Sequence, residues 1–195
     1  MTISTLSQLV DALGNNSSRI VIDKASLANA AAGQFFSLWT ATGVPGAGSA
    51  PGAAAVPTSA TTGAMGFTNQ TSPATSYLAW LAAQFSNSAS NLEIHDRLMH
   101  MGGLSGTVTT AQGALSLVTN SPGADRLGDA NYSDVRWWLE VYTALGSTGV
   151  NATCAVTYND GSTGNLAAVA LGATPRAGRL YPLVSASAGK FIRSV

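Results

Sequence analysis

Charge is what this chain has least of. Nine Lys or Arg and nine Asp or Glu among 195 residues make a charged fraction of 9%, against about 25% in an average soluble domain. The basic residues stand singly and are balanced by acidic ones, so there is no basic stripe to neutralise phosphates, and nucleic acid is not an expected partner. Cys154 is the only cysteine, which excludes an intrachain disulfide, and its place in an alternating apolar run predicts a buried thiol. No apolar run approaches the roughly 20 residues of a membrane-spanning helix, and Met1-Thr2-Ile3-Ser4 lacks the basic and apolar regions of a signal peptide. The expectation is a protein made in the cytoplasm with no membrane partner.

Catalytic motifs are also missing. Gly189-Lys190 is followed by Phe191 where a phosphate loop needs Ser or Thr, and no Gly-x-Gly-x-x-Gly opens a βαβ unit. Gly103-Leu104-Ser105-Gly106-Thr107 has Thr107 where a nucleophile elbow needs Gly. Asp125, Asp129, Asp134 and Glu140 lie in a turn-rich stretch and read as solvated loop carboxylates, not as the acid-base pair of a glycosidase. The only ionisable cluster is His95-Asp96-Arg97 with His100. On a strand His95 and Arg97 face one way and Asp96 and His100 the other, so the four do not converge on a metal or a substrate. They are expected to form salt bridges at a sheet edge or subunit contact. No catalytic, cofactor or metal residue is assigned, and the chain is expected not to be an enzyme.

Apolar material, by contrast, is plentiful. The sequence is 46% hydrophobic with 21 Gly, four Trp, five Tyr and five Phe, which separates it from disordered chains. A neutral surface of Ser, Thr, Asn, Gly and Ala resists self-association poorly, so the composition suits permanent assembly.

The clearest element is a helix near the start. Thr5 and Gln8 form a capping box, Leu6, Leu9, Val10 and Leu13 make one apolar stripe, and Gly14 ends it. Ten residues are too few for a stable isolated helix, so the stripe must dock on the parent domain or on a neighbouring subunit. Strands are expected at 19–23, 34–41, 76–85, 91–100, 106–110, 114–119, 135–143, 150–158, 165–171, 179–184 and 190–194. The best hairpin runs from Val150 to Leu171 around Asn159-Asp160-Gly161. Between them, residues 43–74 are mostly Gly, Ala, Pro, Ser and Thr, too long a structureless stretch for an ordinary connection. They read as an extended arm with Phe67 as its aromatic anchor on a partner, the alternative being a mobile loop whose Phe67 tucks back onto the parent domain. Trp137 and Trp138 point to opposite faces, one into a core and one outward.

The fold expected is a single all-β domain, a β-sandwich or jelly roll with a short N-terminal helix and a Gly/Ala/Pro-rich arm. Leu6, Leu9, Val10, Leu13, Phe67 and Trp138 are its candidate interface. A carbohydrate-binding sandwich with Trp80 or Trp138 as a stacking platform is the reading from another class.

Several segments carry a resemblance. They are Phe36-Ser37-Leu38-Trp39-Thr40-Ala41-Thr42-Gly43, Gly63-Ala64-Met65-Gly66-Phe67, Asp96-Arg97-Leu98-Met99-His100 with Gly102-Gly103-Leu104-Ser105-Gly106-Thr107, and the Asn159-Asp160-Gly161 turn. Together they span most of the chain from about 33 to 170, and in them it resembles a family of virion structural proteins of tailed bacteriophages. The resemblance implies a place in the particle, as a decoration or cement protein bound to the major capsid protein or as a tail or neck adaptor. It supplies no catalytic residues. Such proteins often form closed homo-oligomers, a trimer being the simplest expectation.

Overall fold

The computed structural model describes residues 3–15, 19–27, 30–67, 78, 80–87, 90–112 and 126–195. The first element, α1 (Leu6–Asn15), begins as its sequence dictates. The Gln8 amide donates to Thr5 Oγ1 at 3.3 Å and the Thr5 amide donates back to Gln8 Oε1 at 3.2 Å, closing the capping box. The helix runs one residue past Gly14 and has no buried residue.

Among the described residues ten short strands follow, grouped in four small antiparallel sheets. Strand β1 (Asp23–Lys24) pairs with β3 (Gly43–Val44). Strands β2 (Phe35–Phe36) and β4 (Trp137–Glu140) flank β9 (Arg179–Leu183), with Phe35 opposite Leu180 and Leu139 opposite Tyr181. Strand β5 (Val150–Ala152) pairs with β8 (Val169–Gly172). Strand β6 (Ala155–Tyr158) lies between β7 (Thr163–Asn165) and β10 (Ile192–Ser194). Among the described residues the regular secondary structure is thus mostly strand, with one short helix.

The expected hairpin forms, but in two stages. The run 150–158 breaks at Thr153-Cys154 into β5 and β6, which join different sheets. The Leu166 amide donates to the Cys154 carbonyl at 2.9 Å across the break. At the tip Gly161 has φ 82°, a left-handed conformation that suits glycine, and Asp160 Oδ1 accepts from the Ser162 amide and hydroxyl at 2.9 and 2.6 Å. Lys190 reaches Asp160 Oδ2 at 3.0 Å and so ties the tip to the start of the last strand.

The core is small. Val156, Tyr158, Leu166 and Ile192 are buried together, with Trp137, Cys154, Leu183 and Val195 packed against them. Trp137 and Leu183 come from the β2-β9-β4 sheet and the buried group from the β10-β6-β7 sheet and the following loop, so the two sheets meet across Trp137. Its indole Nε1 donates to the Ile192 carbonyl at 3.0 Å. Cys154 is half-buried where a buried thiol was expected, and this partial burial raises its pKa.

Several expected strands are corrected. Only Asp23 of 19–23 and Phe35–Phe36 of 34–41 enter a sheet. Residues 80–85 and 106–110 are not in a strand, the latter opening with a turn at Gly106-Thr107, and of 91–100 only His100 pairs, in a single bridge with Ala55. The segment 114–119 lies outside the described residues. The failures share a cause: alternating apolar residues suit a pleated surface only when another strand lies alongside to pair with.

The arm is corrected as well, over its described part. Residues 43–67 fold back onto the body. The Gly48 amide donates to the Trp39 carbonyl at 2.8 Å and the Trp39 indole donates to Ser49 O at 3.2 Å. A Cβ at Gly48 would overlap the Trp39 ring, and one at Gly63 would come within 2.6 Å of the Gly48 Cα. Small residues there let two passes of backbone close on the indole. Residues 68–74 lie outside the described residues.

The hairpin tip is a pH-sensitive joint. Hydrogen bonds from the Ser162 hydroxyl and amide, then Lys190, lower the Asp160 pKa to about 2. A depressed carboxyl stabilises the fold above its unfolded value of about 3.9 and loses that contribution as pH falls through the folded value. An NMR titration of the Asp160 carboxyl carbon should therefore show a midpoint near the lower figure; one near the ordinary value would mean that the tip is open in solution.

Candidate functional site

The most concentrated chemistry in the chain surrounds Trp39. Arg97 lies over its indole, guanidinium carbon to ring centroid 4.7 Å, and His100 meets the same ring edge-on at 5.3 Å. Arg97 Nη1 donates to Glu140 Oε2 at 2.8 Å and Nη2 donates to Ser37 Oγ at 3.1 Å. The Glu140 side chain is only 7% exposed. Arg97 and His100 therefore do converge, contrary to the strand expectation, because this stretch does not alternate as a strand would.

The protonation states follow from the surroundings. Burial, then the Arg97 charge, lowers the His100 pKa against an opposing pull from Glu140, so the ring is neutral at pH 7. The Tyr142 pKa is pushed up to about 12, chiefly by burial and next by the Glu140 carboxylate. The Tyr142 hydroxyl and Glu140 Oε1 are buried near one another without closing a well-formed hydrogen bond. A phenol held so firmly protonated and a carboxylate already paired make a poor acid-base couple.

The neighbouring charges act as ties. Arg126 grips Asp96 through two bonds of 2.8 and 2.7 Å, and donates to the Pro57 and Arg97 carbonyls at 3.1 and 3.3 Å. Glu93 meets His95 at 2.9 Å and Arg136 at 3.4 Å. Arg126 and Glu93 carried no motif to mark them, since their partners lie far away in sequence or in a run with no strand. Asp129 bonds within its own turn to Asn131 and Ser133, Glu140 belongs to the Trp39 cluster, and Asp125 lies outside the described residues. Among the described residues no group of three or more His, Cys, Asp or Glu could hold a metal ion.

The other candidate is apolar surface. On α1, Leu6 is 75% and Val10 60% exposed, and Leu9 and Leu13 are exposed beside them. Leu78 and Trp80 are 81% and 79% exposed, and Leu81, Phe85, Leu92 and Ile94 extend the same stretch of chain. Phe67 is exposed. Trp138 is half-buried, covered on one side by Phe35 at 5.3 Å between ring centroids; Phe35 itself is exposed. Trp137 packs against the buried apolar group, while Trp138, equally half-buried, packs against Phe35.

No protein-family model matches the chain, and no curated protein and no solved structure matches it.

The Arg97–Glu140 pair gives a direct test. Arg97→Met strands a buried carboxylate and should cost about 3 kcal/mol in urea denaturation. Adding Glu140→Leu should recover most of that loss. If the single variant is no less stable than the double, the pair is not what clamps this region.

Proposed function

We propose that this chain is a structural subunit of a tailed-phage virion, a decoration or cement protein that binds the major capsid protein as a closed homo-oligomer. The observation that carries the assembly half of this reading is the exposed apolar surface. Among the described residues Leu6, Val10, Leu78, Trp80 and Val184 are 75%, 60%, 81%, 79% and 67% exposed, and exposed apolar surface beyond the ordinary scatter marks protein contacts.

The virion half rests on the sequence resemblance set out above. Two features suit it. The helix α1 is capped and formed yet buries nothing, as an element reserved for a neighbour would be. Leu78, Trp80, Leu81, Phe85, Leu92 and Ile94 are exposed in a part of the chain whose described residues join no sheet, which suits cover by a neighbouring subunit. The two three-stranded sheets that meet across Trp137 are read as the layers of a small sandwich. Synthesis in the host cytoplasm and residence in the particle complete the proposal.

Carbohydrate binding is less well supported. Trp80 is open to solvent, but its exposed neighbours are Leu78 and Leu81, not the hydrogen-bonding groups that orient a sugar on an aromatic face.

Light-scattering chromatography tests the reading. The wild-type protein should run as an oligomer, a trimer in the simplest case, and should bind unfilled phage heads. Leu6→Lys with Val10→Lys alters only exposed positions, so the fold should change by no more than about 0.5 kcal/mol while self-association weakens at least tenfold, about 1.4 kcal/mol. Binding to tails in place of heads would move the protein to a tail or neck adaptor role. A wild-type monomer that ignores heads and tails would overturn the proposal.

A further inference from the structure

Four cations of the described residues answer to carboxylates: Arg97 to Glu140, Arg126 to Asp96, Arg136 to Glu93 and Lys190 to Asp160. Arg179 does not. Its Nε and Nη1 are buried and donate no hydrogen bond. Two rings hold it instead, Phe36 at 5.6 Å and Tyr181 at 4.9 Å from the guanidinium carbon. Both rings are themselves fixed. Phe36 pairs with Arg179 across β2 and β9, and the Tyr181 hydroxyl donates to the Leu171 carbonyl at 2.6 Å.

Arg179 lines a cavity of about 420 Å³, together with Arg176, Gln34, Thr174 and the backbone around β8. Among the described residues two arginines line this cavity and no Asp or Glu does. A guanidinium cannot shed its charge at any ordinary pH, and a desolvated cation without an anion is costly. Aromatic faces relieve part of that cost but accept none of the in-plane N–H bonds.

We propose that the cavity between β2, β8 and β9 is a carboxylate-binding site, with Arg179 as its anchoring cation and Arg176 as a second charge at its rim. A planar two-oxygen acceptor matches a guanidinium better than a spherical anion does. The site is independent of the virion reading: it holds for a monomer or an oligomer.

The test follows the Arg179 Nε–H resonance by NMR in the full-length protein. Sodium acetate and N-acetyl-aspartic acid N-methylamide are each titrated against sodium chloride at matched ionic strength. The expected result is a saturable shift with a carboxylate at millimolar concentration, absent with chloride. Arg176→Gln should weaken it roughly threefold, in keeping with loss of one exposed charge. Thermal stabilisation by the same carboxylate should vanish in Arg179→Gln; if that variant does not fold, the wild-type and Arg176→Gln titrations decide alone. Tighter binding of the aspartyl compound supports a carboxylate presented by a polypeptide, and tighter binding of acetate supports a free small acid. No saturable shift with either, or an equal shift with chloride, overturns the proposal.

Discussion

The Trp39 indole is the surface on which the first half of the described chain is organised. Ser49, the Gly48 backbone, Arg97 and His100 all touch it or bond to it, and through them residues 43–67 and 95–102 are brought to the strands at 137–140. Around this ring, ordered polar contacts supply what a hydrophobic centre would in a larger core. Arg97 reaches Glu140 on β4, Arg126 reaches Asp96 and Pro57, and Ala55 and His100 exchange backbone bonds of 2.9 and 3.0 Å. Such a joint is specific but brittle, because each member removed leaves a buried charge or polar group behind.

The second half is built differently. Between Val150 and Val195 short-range pairing dominates, and the apolar group at Val156, Tyr158, Leu166 and Ile192 is assembled largely from one hairpin and the last strand. Trp137 couples the halves: it extends the apolar group, bonds to Ile192, and sits on the strand that carries Glu140. The polar joint and the apolar group are thus linked through the four residues of one strand.

What was legible in the sequence was local. The α1 cap and the Asn159-Asp160-Gly161 turn depend on residues within a few positions of one another, and that Trp137 and Trp138 meet different neighbours is simple alternation. What was not legible depends on distant partners. Residues 91–100 alternate well enough to suggest a strand, yet Asp96, Arg97 and His100 are placed by Arg126, Glu140, Trp39 and Ala55, which no spacing rule connects to them. Residues 43–67 have no periodicity because their role is to be small beside an indole. Arg179 stood unremarked inside an apolar strand; the available signal was an arginine two positions from Tyr181, hence on the same face of β9.

The exposed apolar surface and the small core are two sides of one constraint. Large side chains such as Leu6, Trp80, Phe67 and Val184 remain in contact with water, so the free energy their burial could supply, about 25 cal/mol per Å², is not used within the single chain. A protein arranged this way gains stability from whatever covers those residues, and does so by mass action: the covered state is favoured in proportion to the logarithm of partner concentration. Assembly as proposed would act on folding as well as on location, because covering α1 would add apolar burial that the single chain does not supply. A low charge fraction fits this economy, since no long-range repulsion opposes close approach of identical neutral surfaces.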